Sequence, residues 1–304
     1  MKAPLTGPRP RWILAGALLV LVAARLLGQS GWTVVPADAH RSGTFGNRAL
    51  QESSGVAVSR RNPGVLWTFN DSGNPPYLFA VDTLGRDHAT FQVTGARNTD
   101  WEAMSLAPCG WLSCLYLADT GDNFERRPSV RLYRLPEPAP RGGPPLGATA
   151  RAETLDVRYP DRARDVEAMF VDPEGNAYLI TKGLLSAVRL YRVPAAAWRS
   201  GRVVADSLGT LPIDSGEDLG RLVTDASLAP NGRDVVIRTY RELYFFRLDS
   251  GRLLPGPGHL ACSLDGLEVQ GEGVAWLDDR TLVLTSERGY GAAGTVSVAR
   301  CPQR

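Results

Sequence analysis

Two stretches decide how this chain is read: TDWEAMSLAP, from Thr99 to Pro108, and RDVEAMFVDP, from Arg164 to Pro173. Both write Asp-x-Glu-Ala-Met, continue with an alternating apolar run and close on a proline turn. The alternation has the period of two expected of a short β-strand. The glutamate ahead of it adds nothing to β propensity. Its recurrence marks a structural unit that carries a carboxylate to the same place each time.

The phrase returns in weaker form along the chain. Glu52 opens ESSGVAVS, Asp225 opens DASLAPNG and Glu272 opens EGVAWLDD, so the repeat comes roughly every 50 to 65 residues. Each phrase is followed by a turn, a second strand, a polar loop and a third strand such as YLFAVD, VRLYRLP, VRLYRVP, ELYFFRL or TVSVAR. The first four units carry a fourth strand, for example RDHATFQVT and RAETLDVRY. Four antiparallel strands repeated about every 50 residues are the arithmetic of a β-propeller blade. The expected fold is all-β, a single propeller of five four-stranded blades. The last unit has only three strands, so its fourth is expected from the N-terminal GTFGNRAL before Glu52. Six blades would require residues 102–166 or 167–224 to hide extra strands. A β-sandwich is the alternative architecture, but it leaves the regular carboxylate without a reason.

Composition agrees with this reading. Hydrophobic residues are 43%, charged residues 22%, and the generous Gly 32 and Pro 22 suit many turns. A net charge of +2 with scattered Lys and Arg gives no basic face, which argues against nucleic acid. Residues 1–28 read as an export segment: Lys2, Arg9 and Arg11 precede an apolar run from Trp12 to Ala24. That run is short of the roughly 20 residues that span a bilayer, although continuing through Arg25 to Gly28 lengthens it. A cleaved signal peptide and an uncleaved membrane anchor both remain open, and each places the rest outside the cytoplasm, secreted, periplasmic or membrane-anchored. Residues 29–46 read as a linker and 47–304 as the propeller. In that compartment four cysteines are expected to pair as Cys109–Cys114, across a hairpin-sized gap, and Cys262–Cys301. Zinc is the rival use, weakened by the lack of a second close pair or a nearby histidine.

In a propeller the first strand of each blade lines the central channel. Glu52, Glu102, Glu167, Asp225 and Glu272 are therefore expected to ring one mouth. Converging carboxylates raise one another's pKa unless compensated. Calcium, a hard cation with oxygen ligands, is one solution. Pairing with Lys182, Arg238, Arg241 or Arg288, which follow the second strands, is another, and backbone amides are a third. The loops after the second strand add Asn70 and Asp71 in NDSGN, and Asp119, Asp122 and Asn123 in DTGDNFE, either as turn formers or as ligand contacts. Trp67, Trp101, Trp111 and Trp276 are expected to pack between blades, with Trp101 beside the mouth.

At these residues the chain resembles a group of exported bacterial β-propeller proteins. The resemblance rests on SSGVAVSRRNPGVLWTFNDSG, NTDWEAMSLAP, LADTGDNFERR, YRLPEP and DVEAMFVDP…YLITK, and covers Glu52 to Lys182 best. More distantly the chain is similar to phytase-like and gluconolactonase-like propellers, which implies acidic residues at the channel and a divalent cation among them. The resemblance points to Glu52, Asn70, Asp71, Glu102, Asp119, Asp122, Asn123 and Glu167. The chain departs from the pattern at Asp225, and it lacks a basic cluster for a polyphosphate ester. The expected function is a binding or interaction module for a small-molecule or protein ligand at the mouth, with a cation-dependent hydrolase of a phosphoester, lactone or similar ester as the alternative. Serine-triad chemistry has no support, since no G-x-S-x-G occurs.

Overall fold

The structure is a computed structural model, and it describes residues 31–140, 146–216, 218–289 and 292–302. Residues 1–28, expected to act in export, lie outside them. Two strands come first, β1 (Thr33–Pro36) and β2 (Asp38–Thr44). Blade one is β3 (Ser53–Val58), β4 (Leu66–Asn70), β5 (Tyr77–Val81) and β6 (Asp87–Gln92). Blade two is β7 (Trp101–Cys109), β8 (Leu112–Asp119), β9 (Val130–Pro136) and, beyond the short β10 (Leu146–Ala148), β11 (Glu153–Arg158). Blade three is β12 (Val166–Val171), β13 (Ala177–Thr181), β14 (Arg189–Val193) and, beyond β15 (Arg202–Val204), β16 (Asp206–Thr210). Blade four is β17 (Val223–Leu228), β18 (Asp234–Thr239), β19 (Glu242–Asp249), β20 (Arg252–Pro255) and β21 (Leu260–Ser263). Blade five is β22 (Gly271–Trp276), β23 (Thr281–Ser286) and β24 (Thr295–Arg300).

The missing strand of blade five is β2, antiparallel to β24, which closes the ring between the two ends of the chain. Closure uses Asp38–Thr44 rather than Gly43–Leu50, so the segment expected as a linker carries two strands instead. The seam is tight: a Cβ on Gly43 would meet the Leu84 carbonyl oxygen at 2.1 Å, and one on Gly85 would meet that of Thr44 at 2.1 Å. Gly85 also needs its positive φ of 76° for the β5–β6 turn.

The long units do hide extra strands, but these do not build a sixth blade. β10 adds to β6 of blade one, β15 to β11 of blade two and β1 to β21 of blade four, each in parallel. In each case the donated strand directly precedes the outer strand of the following blade. Neighbouring blades are thereby laced together at the rim.

The core lies in layers between blades. Trp67, Phe69 and Leu78 of blade one pack with Trp101, Met104 and Leu115 of blade two, Phe69 meeting Trp101 edge to face at 5.5 Å. Trp276 is buried between blades four and five. Trp111 is the exception, 95% exposed. Cys109–Cys114 closes the β7–β8 hairpin, and Cys262–Cys301 joins blade four to blade five. Two disulfides point to an oxidising, extracytoplasmic environment.

Candidate functional site

Every first strand starts with an irregularity. Pairing with the second strand slips between Ser53 and Gly55, Trp101 and Ala103, Val166 and Ala168, Val223 and Asp225, and Gly271 and Val274. A bulge takes a residue out of the ladder and re-aims its side chain. The equivalent positions are therefore Ser54, Glu102, Glu167, Thr224 and Glu272. Of the five acids expected in the ring, Glu102, Glu167 and Glu272 stand at these bulges, whereas Glu52 and Asp225 fall out of phase. The hydroxyls in their places reach the next blade: Ser54 Oγ donates to Glu102 Oε2 at 3.2 Å, and Thr224 Oγ1 to the Glu272 carbonyl at 2.9 Å. Glu52 is exposed and accepts from Asn74 Nδ2 at 2.6 Å. Asp225 is fully buried, accepting from the amides of Ala226 and Val274 at 2.8 Å each. It ties blade four to blade five.

Among the described residues three acids gather, Asp71, Asp100 and Glu102, one oxygen from each lying within 4.8 Å of the others. Asp71 follows β4, while Asp100 and Glu102 flank Trp101 at the start of β7. Asp100 was not singled out from the sequence, although the repeated Asp-x-Glu phrase contains it. Gly121 forms a wall of the site, for a Cβ there would lie 2.2 Å from Glu102 Oε1 and 2.5 Å from Asp100 Oδ2. Burial pushes Asp100 up to about 6, with Asp71 adding to the rise. Glu102 stands well above the usual carboxylate range through burial and then the charge of Glu167. Asp71 is raised too, by burial, against the pull of the Ser72 amide.

Other acids extend the field. Glu272 is raised by burial and then by Glu287; Glu287 is itself raised to about 7 by burial, Asp71 and Glu52. Asp165, the counterpart of Asp100 in blade three, is buried, with Oδ1 accepting from the Asp122 amide at 2.8 Å and Oδ2 without a partner.

Lys182 is a cation set among these acids, and the charge of Arg127 pulls on Asp100. Lys182 Nζ donates to Glu167 Oε1 at 2.7 Å. Burial opposes its charge, but Glu167 and Tyr240 outweigh burial and raise its pKa. Lys182 is the first of the cations that the sequence offered to the ring, and of 34 Lys and Arg residues only it and Lys2 are lysines. Of the other cations considered, Arg238 also acts on the ring, its charge pulling down Asp225 and Glu272 against burial. Arg238 is buried with Glu268 and donates to the Gly273 carbonyl at 2.6 Å. Arg241 is 3.7 Å from Asp218, and the Arg288 amide donates to Gln51 O at 2.7 Å.

Of the loop residues, Asp71 alone joins the triad. Asn70 Oδ1 accepts from the Gln51 and Glu52 amides at 2.9 and 3.0 Å. Asp119 Oδ1 does the same for the Asp100 amide at 3.2 Å and also accepts from Arg127 Nη2 at 2.8 Å. Both residues fasten the loop that enters the first strand. Asp122 Oδ2 accepts from the Arg127 amide at 2.6 Å, and Asn123 is exposed.

No family model matches the sequence, and no curated protein is similar to it in sequence. Among solved structures the chain is similar to a gluconolactonase from Xanthomonas campestris (12% identity, 88% of this chain and 97% of that one, TM-score 0.45). It is also similar to a virginiamycin B lyase from Staphylococcus aureus (10%, 86% and 69%, TM-score 0.40) and to a glucose dehydrogenase (10%, 87% and 99%, TM-score 0.47). Likeness at this level transfers no activity. The five-bladed propeller stands on its own strand pairing, and what it offers chemically is a half-buried acidic triad.

Proposed function

We propose that the mouth holds a divalent cation, calcium by the hardness of its donors, and that the domain is an extracytoplasmic binding module whose ligand is a small molecule or a protein segment held through that ion. The observation that carries this reading is the Asp71–Asp100–Glu102 triad. Three carboxylates so close, Glu102 buried and Asp71 and Asp100 half-buried, repel one another when ionised, and a cation with oxygen ligands removes the repulsion. Gly121 supports the fit, because its missing Cβ leaves the space in which the carboxylates of Asp100 and Glu102 lie. The partnerless Oδ2 of Asp165 supports it further as an outlying oxygen. Once bound, the ion would supply positive charge to an oxygen of the ligand. Residues 1–28 complete the reading as the export signal or anchor.

Calorimetric titration of calcium into chelator-treated protein tests it. Saturable binding at one site per chain, lost in Glu102→Gln, is the expected result, and no heat from the wild type would overturn it. Calcium-dependent turnover of a phosphoester or lactone, also lost in Glu102→Gln, would replace the binding module with the hydrolase reading.

A further inference from the structure

Trp111 stands at the tip of the β7–β8 hairpin with its side chain in water, 95% exposed, and Leu112 beside it is 38% exposed. Trp67, Trp101, Trp198 and Trp276 are buried, so the fold has places for indoles and leaves this one out. The tip is also rigid. Gly110 makes the turn at φ 67°, and Cys109–Cys114 clamps the strands on either side. A large apolar side chain held outward on a stiff support loses little freedom on docking, which is the physical profile of an anchor.

Strand direction says what lies on that side. β7 runs away from the acidic mouth, so its turn lies on the opposite face. β17, β18, β19 and β21 alternate in direction, and β1 runs parallel to β21. Thr33 therefore enters the propeller on the same far face as Trp111. Upstream of it is the basic start and the apolar run from Trp12 to Ala24. If that segment is inserted as far as Gly28, the chain to Thr33 reaches about 17 Å at full extension, which keeps the far face close to the bilayer.

We propose that Trp111 and Leu112 dip into the headgroup region of the bilayer to which residues 1–28 tether the chain, leaving the acidic mouth turned away from the membrane. Indole suits that boundary, with an apolar ring and a polar N–H. This inference rests on the anchor reading of residues 1–28 and is independent of the cation reading.

The test uses the full chain in phosphatidylcholine vesicles, with and without brominated acyl chains, comparing wild type with Trp111→Phe. Phenylalanine keeps the apolar tip and removes one fluorophore, so wild type minus variant isolates the Trp111 emission. The expected difference spectrum is blue-shifted and loses most of its intensity in brominated lipid. A red, unquenched difference spectrum, or failure of the chain to stay with the vesicles, overturns the proposal. A blue-shifted but unquenched one does so as well, and assigns the tip to a protein contact.

Discussion

Lys182 Nζ lies 2.7 Å from Glu167 Oε1, joining the end of β13 to the bulge that opens β12. Both side chains are largely buried, 14% and 4% exposed. The pair splits the expected ring into two kinds of acid: Glu167 has a cation of its own, whereas Glu102 faces Asp71 and Asp100. Removing one partner of a buried pair strands the other charge, at roughly 3–5 kcal/mol. Lys182→Met should therefore destabilise the domain by about that much in denaturant unfolding. Adding Glu167→Gln should recover a substantial part of the loss. A double variant no better than Lys182→Met would show that the two residues are not energetically coupled.

Glu102→Gln and Asp100→Asn keep the shape of the triad and remove charge from it. In chelator both should melt at or above the wild-type midpoint, since repulsion among these acids is relieved. In calcium the wild type should gain about 2.7 kcal/mol at a hundredfold excess over the dissociation constant, and both variants should lose most of that gain. Equal midpoints for wild type with calcium and with chelator would leave the triad as architecture.

The pH dependence follows from Asp100 and Glu287. Burial and neighbouring acids lift Asp100 from 3.8 to about 6 and Glu287 from 4.5 to about 7. A carboxyl raised in the fold binds its proton more tightly there than in the unfolded chain. Its stabilising contribution is full below the unfolded value and is lost as pH rises through the folded one. Without metal, stability should fall between about pH 4 and 7 and then level off on this account. Calcium competes with those protons, so its effect on the midpoint should be small at pH 5 and larger at pH 8. A calcium shift independent of pH would exclude these carboxyls from the site.

The disulfides should differ in worth. Cys262–Cys301 closes a separation of 39 residues and Cys109–Cys114 one of 5. Loop-closure entropy gives about 4 and about 2 kcal/mol respectively. Cys262→Ser/Cys301→Ser should therefore shift the unfolding midpoint more than Cys109→Ser/Cys114→Ser. The reverse order would mean that the blade four–blade five seam is already held by its other contacts, Asp225 to Val274 among them.

The blades were legible because a first strand repeats its period-two pattern and its carboxylate together. Phase within the ring was legible only where the bulged residue is itself acidic, as at Glu102, Glu167 and Glu272. In blades one and four a hydroxyl, Ser54 or Thr224, occupies that position, and matching by charge selected Glu52 and Asp225 instead. Asp100 was overlooked beside Glu102, since the phrase was read as carrying one carboxylate when it carries two. The lacing strands β1, β10 and β15 are three or four residues long and pair in parallel with partners outside their own blades. Nothing local in the sequence marks them. The count of five blades survived because the added length became rim strands instead of a further repeat.

Gly121 offers the most direct test of the site, because it touches the carboxylates without being one. Its φ is not in the left-handed region, so alanine is tolerated by the backbone, and the nearest atoms it would meet belong to side chains. A Cβ at 2.2 Å from Glu102 Oε1 and 2.5 Å from Asp100 Oδ2 must push both groups aside. Such overpacking costs about 1–3 kcal/mol, which a five-bladed core should survive. The triad geometry would not. Gly121→Ala should therefore melt in chelator within a few degrees of wild type, yet lose most of the calcium-dependent rise. Serine should behave like alanine, since its Cβ meets the same atoms. If Gly121→Ala keeps the full calcium effect, the ion is held by other oxygens of the mouth, and Asp165, Glu272 and Glu287 become the residues to substitute next.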